Sequence, residues 1–248
     1  FTRNLRSYCL ARRGAFRNRL KRLLIGLPLA FVLLTTAQVL VLKWIDPVGS
    51  SFMAGRMLDA WMDGDWRYRV DYRWRDDAAI SRQLPLAVVA AEDQRFPEHH
   101  GFDIEAMKKA YQGNQRGRKI RGGSTISQQL AKNLFLWSGR SYVRKGLEAW
   151  YTLLIETFWS KRRILEVYVN VVEFGDGVYG AEAAARRYYG VSAAKLGPAQ
   201  AARLAAVLPN PKKYSAAKPG PYVQRRSRGI QRQMQRLGGP SYLDGCCR

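Results

Sequence analysis

The sequence predicts a mostly α-helical protein, with one apolar helix near the N-terminus set apart from a helical domain. Three observations carry this. Residues 23–42 read LLIGLPLAFVLLTTAQVLVL and hold no charge. From about residue 78 onward, apolar residues recur mostly at helical spacing. Strand-like alternation is confined to Tyr68-Arg69-Val70-Asp71-Tyr72-Arg73-Trp74.

The apolar run comes first. Some 20 apolar residues span the hydrocarbon core of a bilayer as a helix. Residues 1–22 carry eight arginines and lysines and no acid, which places the N-terminus in the cytoplasm and the rest outside. A cleaved signal peptide would have a shorter apolar core, roughly 7–15 residues, and would end in small residues. Here the run ends in Val41-Leu42-Lys43-Trp44, a poor cleavage site, so an uncleaved anchor is expected. A buried core helix fits the basic block ahead of it poorly. The expected organisation is a basic cytoplasmic tail (1–22), a transmembrane helix (23–42), a linker or entry segment (43–77) and a domain (78–248).

Net charge is +23 over 248 residues, with 47% hydrophobic residues, enough for a packed core. Eight of the 42 basic residues precede Leu23 and none of the 19 acids does, so the remainder carries +15. Such a domain calls for an anionic partner: nucleic acid, a lipid surface or a phosphorylated substrate. Beside a membrane it is drawn to anionic headgroups. Cys9, Cys246 and Cys247 form neither a disulfide framework nor a zinc-ligand spacing.

The domain opens on an apolar run, Leu84 to Ala91, that delivers Glu92 and Asp93. An apolar approach desolvates a carboxylate and raises its pKa toward the range of a general base. The plain alternative is a solvated helix start, where acids suit the positive end of the helix dipole. Both histidines, His99 and His100, follow closely. Residues 104–112 read as a helix. Residues 113–123, GNQRGRKIRGG, are either a surface loop or a flap over an anionic substrate. Thr125 followed by Gln128 fits a capping box, and a helix start behind glycines offers backbone N–H groups to an anion. Thr125, Gln129 and Lys132 share one polar face, whereas Ile126, Leu130 and Leu134 share an apolar one. Arg144 and Glu148 are i, i+4 neighbours, either a surface pair worth ~0.3–0.5 kcal/mol or part of a cleft. Residues 161–172 form a helix with Ile164, Leu165, Tyr168, Val171 and Val172 inward; Glu166 and Asn170 lie on another face. Residues 173–180 read as a glycine-rich loop. Helices over 181–189 and 198–208, both alanine-rich, suit scaffolding. The last helix, 222–237, is basic and amphipathic, and its arginines read as a solvated or headgroup-facing surface.

Taken together, the blocks over residues 84–240 resemble the peptidoglycan glycosyltransferases, glycosyltransferase family 51. Glu92 to Gly101 matches Glu-Asp-x-x-Phe-x-x-His-x-Gly. Gly122 to Asn133 matches Gly-x-Ser-Thr-x-x-Gln-Gln-x-x-Lys-Asn, and Arg144 to Glu148 matches Arg-Lys-x-x-Glu. Ile164 to Gly180 and Leu204 to Pro211 supply the fourth and fifth motifs in order. The residues after the last motif leave no room for a transpeptidase domain, so the resemblance points to the monofunctional, Gram-negative type. It implies a lysozyme-like, mostly α-helical domain with a smaller membrane-facing lobe, at the inner membrane with the domain in the periplasm. The implied substrates are lipid II, a disaccharide-pentapeptide on undecaprenyl pyrophosphate, and the growing glycan strand.

By that resemblance Glu92 and Glu148 are the catalytic pair. Asp93, Phe96, His99, Ser124, Thr125, Gln128, Gln129, Lys132, Asn133, Arg144, Lys145 and Asn170 are the substrate-binding set, some of them as buttresses of Glu92. Lys132, Arg144 and Lys145 would face pyrophosphate, where arginine forks and a lysine point charge suit phosphate oxygens. A divalent cation, magnesium or manganese, is implied without a dedicated metal site, and no organic cofactor. Anionic lipids and other cell-wall synthesis or division proteins are the further partners expected, and nucleic acid is not. Two other readings compete: a lysozyme-like enzyme that cleaves the same polymer, and a non-enzymatic, membrane-tethered basic protein that binds polymer.

Overall fold

The computed structural model describes residues 24–115, 123–139 and 141–245. The expected flap falls largely on residues 116–122, and it lies outside the described residues, as do Gly122, the basic tail and Cys246 and Cys247. The chain divides into two compact units, 1–44 and 45–248.

In the first unit, helix α1 (Leu24–Trp44) has 21 residues and is long and apolar enough to cross a membrane. At about 1.5 Å per residue it measures about 31 Å, the thickness of a hydrocarbon core. Leu24, Ile25, Leu27 and Leu34 are exposed along it. The Thr35 hydroxyl donates back to the Phe31 carbonyl at 2.8 Å, which satisfies it without water.

The second unit is mostly helical, as the sequence predicts. Its helices are α2 (Ser51–Met62), α3 (Gln83–Glu92), α4 (Ile104–Gln115), α5 (Ile126–Phe135), α6 (Tyr142–Phe158), α7 (Lys161–Val171), α8 (Ala181–Tyr189), α9 (Pro198–Val207) and α10 (Pro221–Arg236). Helix starts follow local chemistry. Ser50, Ser141 and Ser160 cap α2, α6 and α7 by accepting from the backbone N–H three residues on. Gly190, in the left-handed region at φ 66°, ends α8.

Helix α3 is the centre. Leu84, Leu86, Ala87, Val88 and Val89 have no exposed surface. A helix apolar on every side must be covered on every side. It is flanked by α7, α9 and α10. The alanines of α9, among them Ala201, Ala202, Ala205 and Ala206, are fully buried, and their small side chains let α9 approach closely.

Three expectations are corrected. Residues 45–77 are not a linker: the domain unit begins at Ile45, and α2 packs on α5 through Ser51, whose hydroxyl donates to the Leu136 carbonyl at 2.6 Å. The glycine-rich stretch 173–180 is not an open loop but a hairpin, β2 (Glu173–Gly175) and β3 (Val178–Tyr179), turned at Gly177 with φ 71°. The strand expected over 68–74 shrinks to β1 (Asp71–Tyr72), because its partner β3 is only two residues long. The sheet order is β1-β3-β2, with β1 parallel and β2 antiparallel to β3. Gly180 closes the hairpin onto α7: a Cβ there would stand 2.4 Å from the Asn170 carbonyl oxygen.

Glu182 of α8 is a buried ionic junction. It accepts from Arg75 at 3.1 Å, from Arg186 at 2.6 Å and from the Ala193 N–H at 2.8 Å. Burial pushes its carboxyl up, but the Ala193 N–H and the two guanidiniums outweigh this and bring it down to about 2. A depressed carboxylate stabilises the fold above its unfolded pKa, about 4.3, and that contribution fades as pH falls toward 2. Both arginines are half-exposed, so water screens part of the gain. Glu182→Ala is expected to destabilise the domain by about 2 kcal/mol at pH 7. Thermal melts of the two proteins should converge between pH 4 and pH 2; a gap that stays constant across that range would contradict the linkage.

Candidate active site

Glu92 is the last residue of α3, at the negative end of the helix dipole, so the helix-start alternative does not hold. Burial pushes its carboxyl up; a hydrogen bond from Gln129 and the charge of Arg226 pull partly the other way. Gln129 donates to Glu92 Oε2 at 3.1 Å and Arg226 to Oε1 at 3.0 Å. The Tyr168 hydroxyl donates to Gln129 Oε1 at 2.8 Å, which fixes the amide with its NH2 toward Glu92. The carboxylate borders a cavity of about 380 Å³ lined also by Arg95, Asp103, Glu105, Ser124 and Thr125.

Asp93 turns the other way and is nearly buried. Its Oδ2 accepts from the Ile126 N–H, the first residue of α5, at 2.9 Å, and Oδ1 lies 2.8 Å from His99 Nε2. The Gly101 N–H donates to His99 Nδ1 at 3.2 Å, so Nε2 carries the proton and donates to Asp93. Gly101 has φ 86°, and a Cβ there would meet Thr152 at 2.8 Å and Glu156 at 2.9 Å. Lys161 donates to the His99 carbonyl at 2.6 Å and to Glu156 at 2.9 Å, and Glu156 also accepts from the Ser127 hydroxyl. A shell of buried polar groups thus locks residues 93–101 onto α5.

On α5 the expected capping box is present: Thr125 Oγ1 accepts from the Gln128 N–H, and Gln128 Oε1 accepts from the Thr125 N–H. Lys132 lies one turn beyond Gln129. Burial pushes its ammonium down, Glu148 opposes this, Arg144 and Lys145 add to it, and Glu92 also favours the charged form. Arg144 and Glu148 are no surface pair: both are buried, with Arg144 Nη1 donating to Glu148 Oε2 at 3.1 Å. Lys145 donates to the other oxygen. Arg144 Nε is buried without an acceptor. Three cations around one carboxylate leave an excess of two positive charges and an unused donor, an arrangement suited to a polyanion.

The expected residues therefore separate into groups. Glu92, Gln129 and Lys132 are brought together along α3 and α5, and Arg144, Lys145 and Glu148 form the cation cluster of α6. Ser124 lines the cavity. Asp93, His99, Thr125 and Gln128 are committed to framework hydrogen bonds, Asp93 and Thr125 at the cavity wall. Asn133 is buried, and its carbonyl accepts from Ser51 at 3.3 Å. Two assignments to substrate are corrected. Phe96 has no exposed surface and packs edge-on to His99. Asn170 is also fully buried; it accepts from the Arg75 N–H at 3.0 Å and donates to the Arg75 carbonyl at 2.8 Å, a strap holding residue 75 to α7. Sequence reasoning missed Arg226 as a partner of Glu92. It lies on the flank of α10 beside buried Val223 and Ser227, and in a helix with several arginines only that flank position distinguishes it.

Asp93 and Glu148 have both oxygens engaged by protein donors, and Glu92 has one donor on each oxygen. Among the described residues no group of three or more His, Cys, Asp or Glu side chains is placed to hold a metal.

A desolvated carboxylate and a partly buried cation cluster in a helical domain suit an enzyme that acts on an anionic substrate. The comparisons identify the kind. The transglycosylase family model matches residues 61–235, and the chain belongs to that family, whose lysozyme-like helical domain is the fold described above. Relatives named biosynthetic peptidoglycan transglycosylase include one from Xanthomonas euvesicatoria pv. vesicatoria, 59% identical over 90% of each chain. One from Xanthomonas axonopodis pv. citri is 60% identical over 90% of each. Another, from Xylella fastidiosa, is 58% identical over 90% of this chain and 92% of its own.

Arg226 stabilises the charged form of Glu92, so Arg226→Gln should move the acid limb of the pH–rate profile to higher pH, with the alkaline limb unchanged. A profile whose acid limb stays in place, at any overall rate, would rule out that coupling.

Proposed function

We propose that the chain is a peptidoglycan glycosyltransferase that polymerises lipid II into glycan strands, with Glu92 as the general base. The observation that carries the reading is Glu92, desolvated and held by Gln129 and Arg226, across from the Lys132, Arg144 and Lys145 cluster. Lys132, one turn beyond Gln129 on α5, is coupled electrostatically to both Glu92 and Glu148. Glu92 takes the proton of the 4-hydroxyl of the incoming sugar. That oxygen attacks the anomeric carbon of the growing chain from the face opposite the leaving group, and the bond to pyrophosphate breaks with its electron pair on phosphate. Lys132, Arg144 and Lys145 neutralise the departing charge, which relieves the need for a strong general acid. Glu148 holds the two α6 cations in place. A divalent cation that assists the reaction would ride on the substrate's phosphate oxygens, since the protein's carboxylates are engaged.

Helix α1 holds the enzyme at the inner membrane, with the N-terminus cytoplasmic and the domain periplasmic, where anionic lipids and other cell-wall synthesis or division proteins are its neighbours. The exposed Trp137, Tyr142, Val143 and Leu153 flank the cation cluster on α5 and α6 and suit the membrane-facing lobe. The pyrophosphate would enter between that apolar rim and Glu92.

The test uses purified full chain in detergent with labelled lipid II and a divalent cation. Wild type is expected to form glycan strands on a gel. Glu92→Gln, folded by thermal melt, should lose activity by about 10² or more, the lower range for a general base. Polymer from the folded variant at the wild-type rate would move the base elsewhere.

A further inference from the structure

Helix α10 has three distinct sides. Val223, Ser227, Ile230 and Met234 are buried against the domain. Arg226 leaves the flank for Glu92. Opposite the buried side, Arg225, Arg228, Arg232 and Arg236 are all exposed. At 100° per residue these four fall within about 80° of arc, and they extend about 16 Å along the axis.

The helix carries no acid, and among the described residues none of the four has an ion-pair partner. Their spacings, i+3, i+4 and i+4, are those at which like charges repel on a helix. A stripe that is unfavourable alone becomes favourable against an anion. A lipid surface fits poorly. No large apolar side chain of α10 is exposed for insertion, whereas an interfacial helix buries an apolar face in lipid. The helix also packs on α3 and α9, while the pyrophosphate cluster and the exposed apolar rim belong to α5 and α6.

We propose that the arginine stripe of α10 binds the carboxylates of the peptides carried by the nascent glycan strand, as a track leading away from Glu92. The inference rests on the glycosyltransferase reading. A peptide joined to sugar through its N-terminus ends in a free carboxylate, so a strand of such units is a polyanion with a regular repeat. Because Arg225 adjoins Arg226, the stripe begins at the cleft edge. Exposed arginine–carboxylate pairs are individually weak, which suits a strand that must advance.

The test is strand binding by the full chain in neutral detergent, followed by fluorescence anisotropy. One probe is an uncrosslinked glycan strand bearing its peptides; the other is the same strand with the peptides removed enzymatically. Wild type should bind the peptide-bearing strand about tenfold more tightly, with the preference falling as salt rises. The quadruple variant Arg225→Gln, Arg228→Gln, Arg232→Gln and Arg236→Gln should lose the preference and make shorter strands at an unchanged initial rate of lipid II consumption. The matching four Arg→Lys changes should keep it, which excludes misfolding. Equal binding of both strands by wild type, or an undiminished preference in the glutamine variant, overturns the proposal. A glutamine variant that matches wild type in detergent and departs from it only in anionic nanodiscs assigns the stripe to lipid headgroups and overturns it too. Strand binding needs no turnover, so failure here is distinct from failure of the glycosyltransferase reading, which would appear as lipid II left unconsumed by wild type.

Discussion

The Asp93 carboxylate joins the end of α3 to the start of α5. One oxygen accepts the first N–H of α5, and the other accepts the proton of His99, whose remaining nitrogen is held by the Gly101 N–H. Helix N-termini leave N–H groups without intrahelical partners, and here a carboxylate from a different helix satisfies one. The consequence is positional. With the α3–α5 junction fixed, Glu92 and Gln129 meet, and Lys132 follows one turn later. Adjacent carboxylates thus take opposite parts: Asp93 is spent on hydrogen bonds, and Glu92 keeps its surface toward the cavity.

The electrostatics depend on that geometry. Burial pushes Glu92 up and Lys132 down, so each drifts toward its neutral form; Gln129 and Arg226 oppose the drift of Glu92, and Glu148 and Glu92 oppose that of Lys132. Glu148 accepts a hydrogen bond from each cation of α6. Buried charges of this kind seldom add net stability. Their worth is in a preorganised field, because dipoles and charges that are already aimed need no rearrangement when charge moves.

Much of this was legible in the sequence because it is local. The apolar run into Glu92, the Thr125–Gln128 capping box and the i, i+4 pair of Arg144 and Glu148 each involve residues a few positions apart, and each appears in the structure. What was not legible is non-local. Burial of the Arg144–Glu148 pair depends on what α6 packs against. Asn170 lies within a motif, yet its amide is consumed by the backbone of residue 75, some 95 positions away. Residues 45–77 read as a linker because their partners, among them Leu136 and Val178, lie much later in the chain. Arg226 meets Glu92 across 134 positions, and no periodicity reports a contact of that kind.

Arg226 also shows why α10 is built as it is. Its buried side fixes the helix against α3, so that one flank arginine meets the base at 3.0 Å. A guanidinium there must be held, because a mobile charge would vary the pKa of Glu92 as it moved. The four arginines on the outer side make no ion pair among the described residues. One helix thus presents the same residue type in two states: one arginine ordered by a carboxylate of the fold, and four exposed beside one another, where like charges repel.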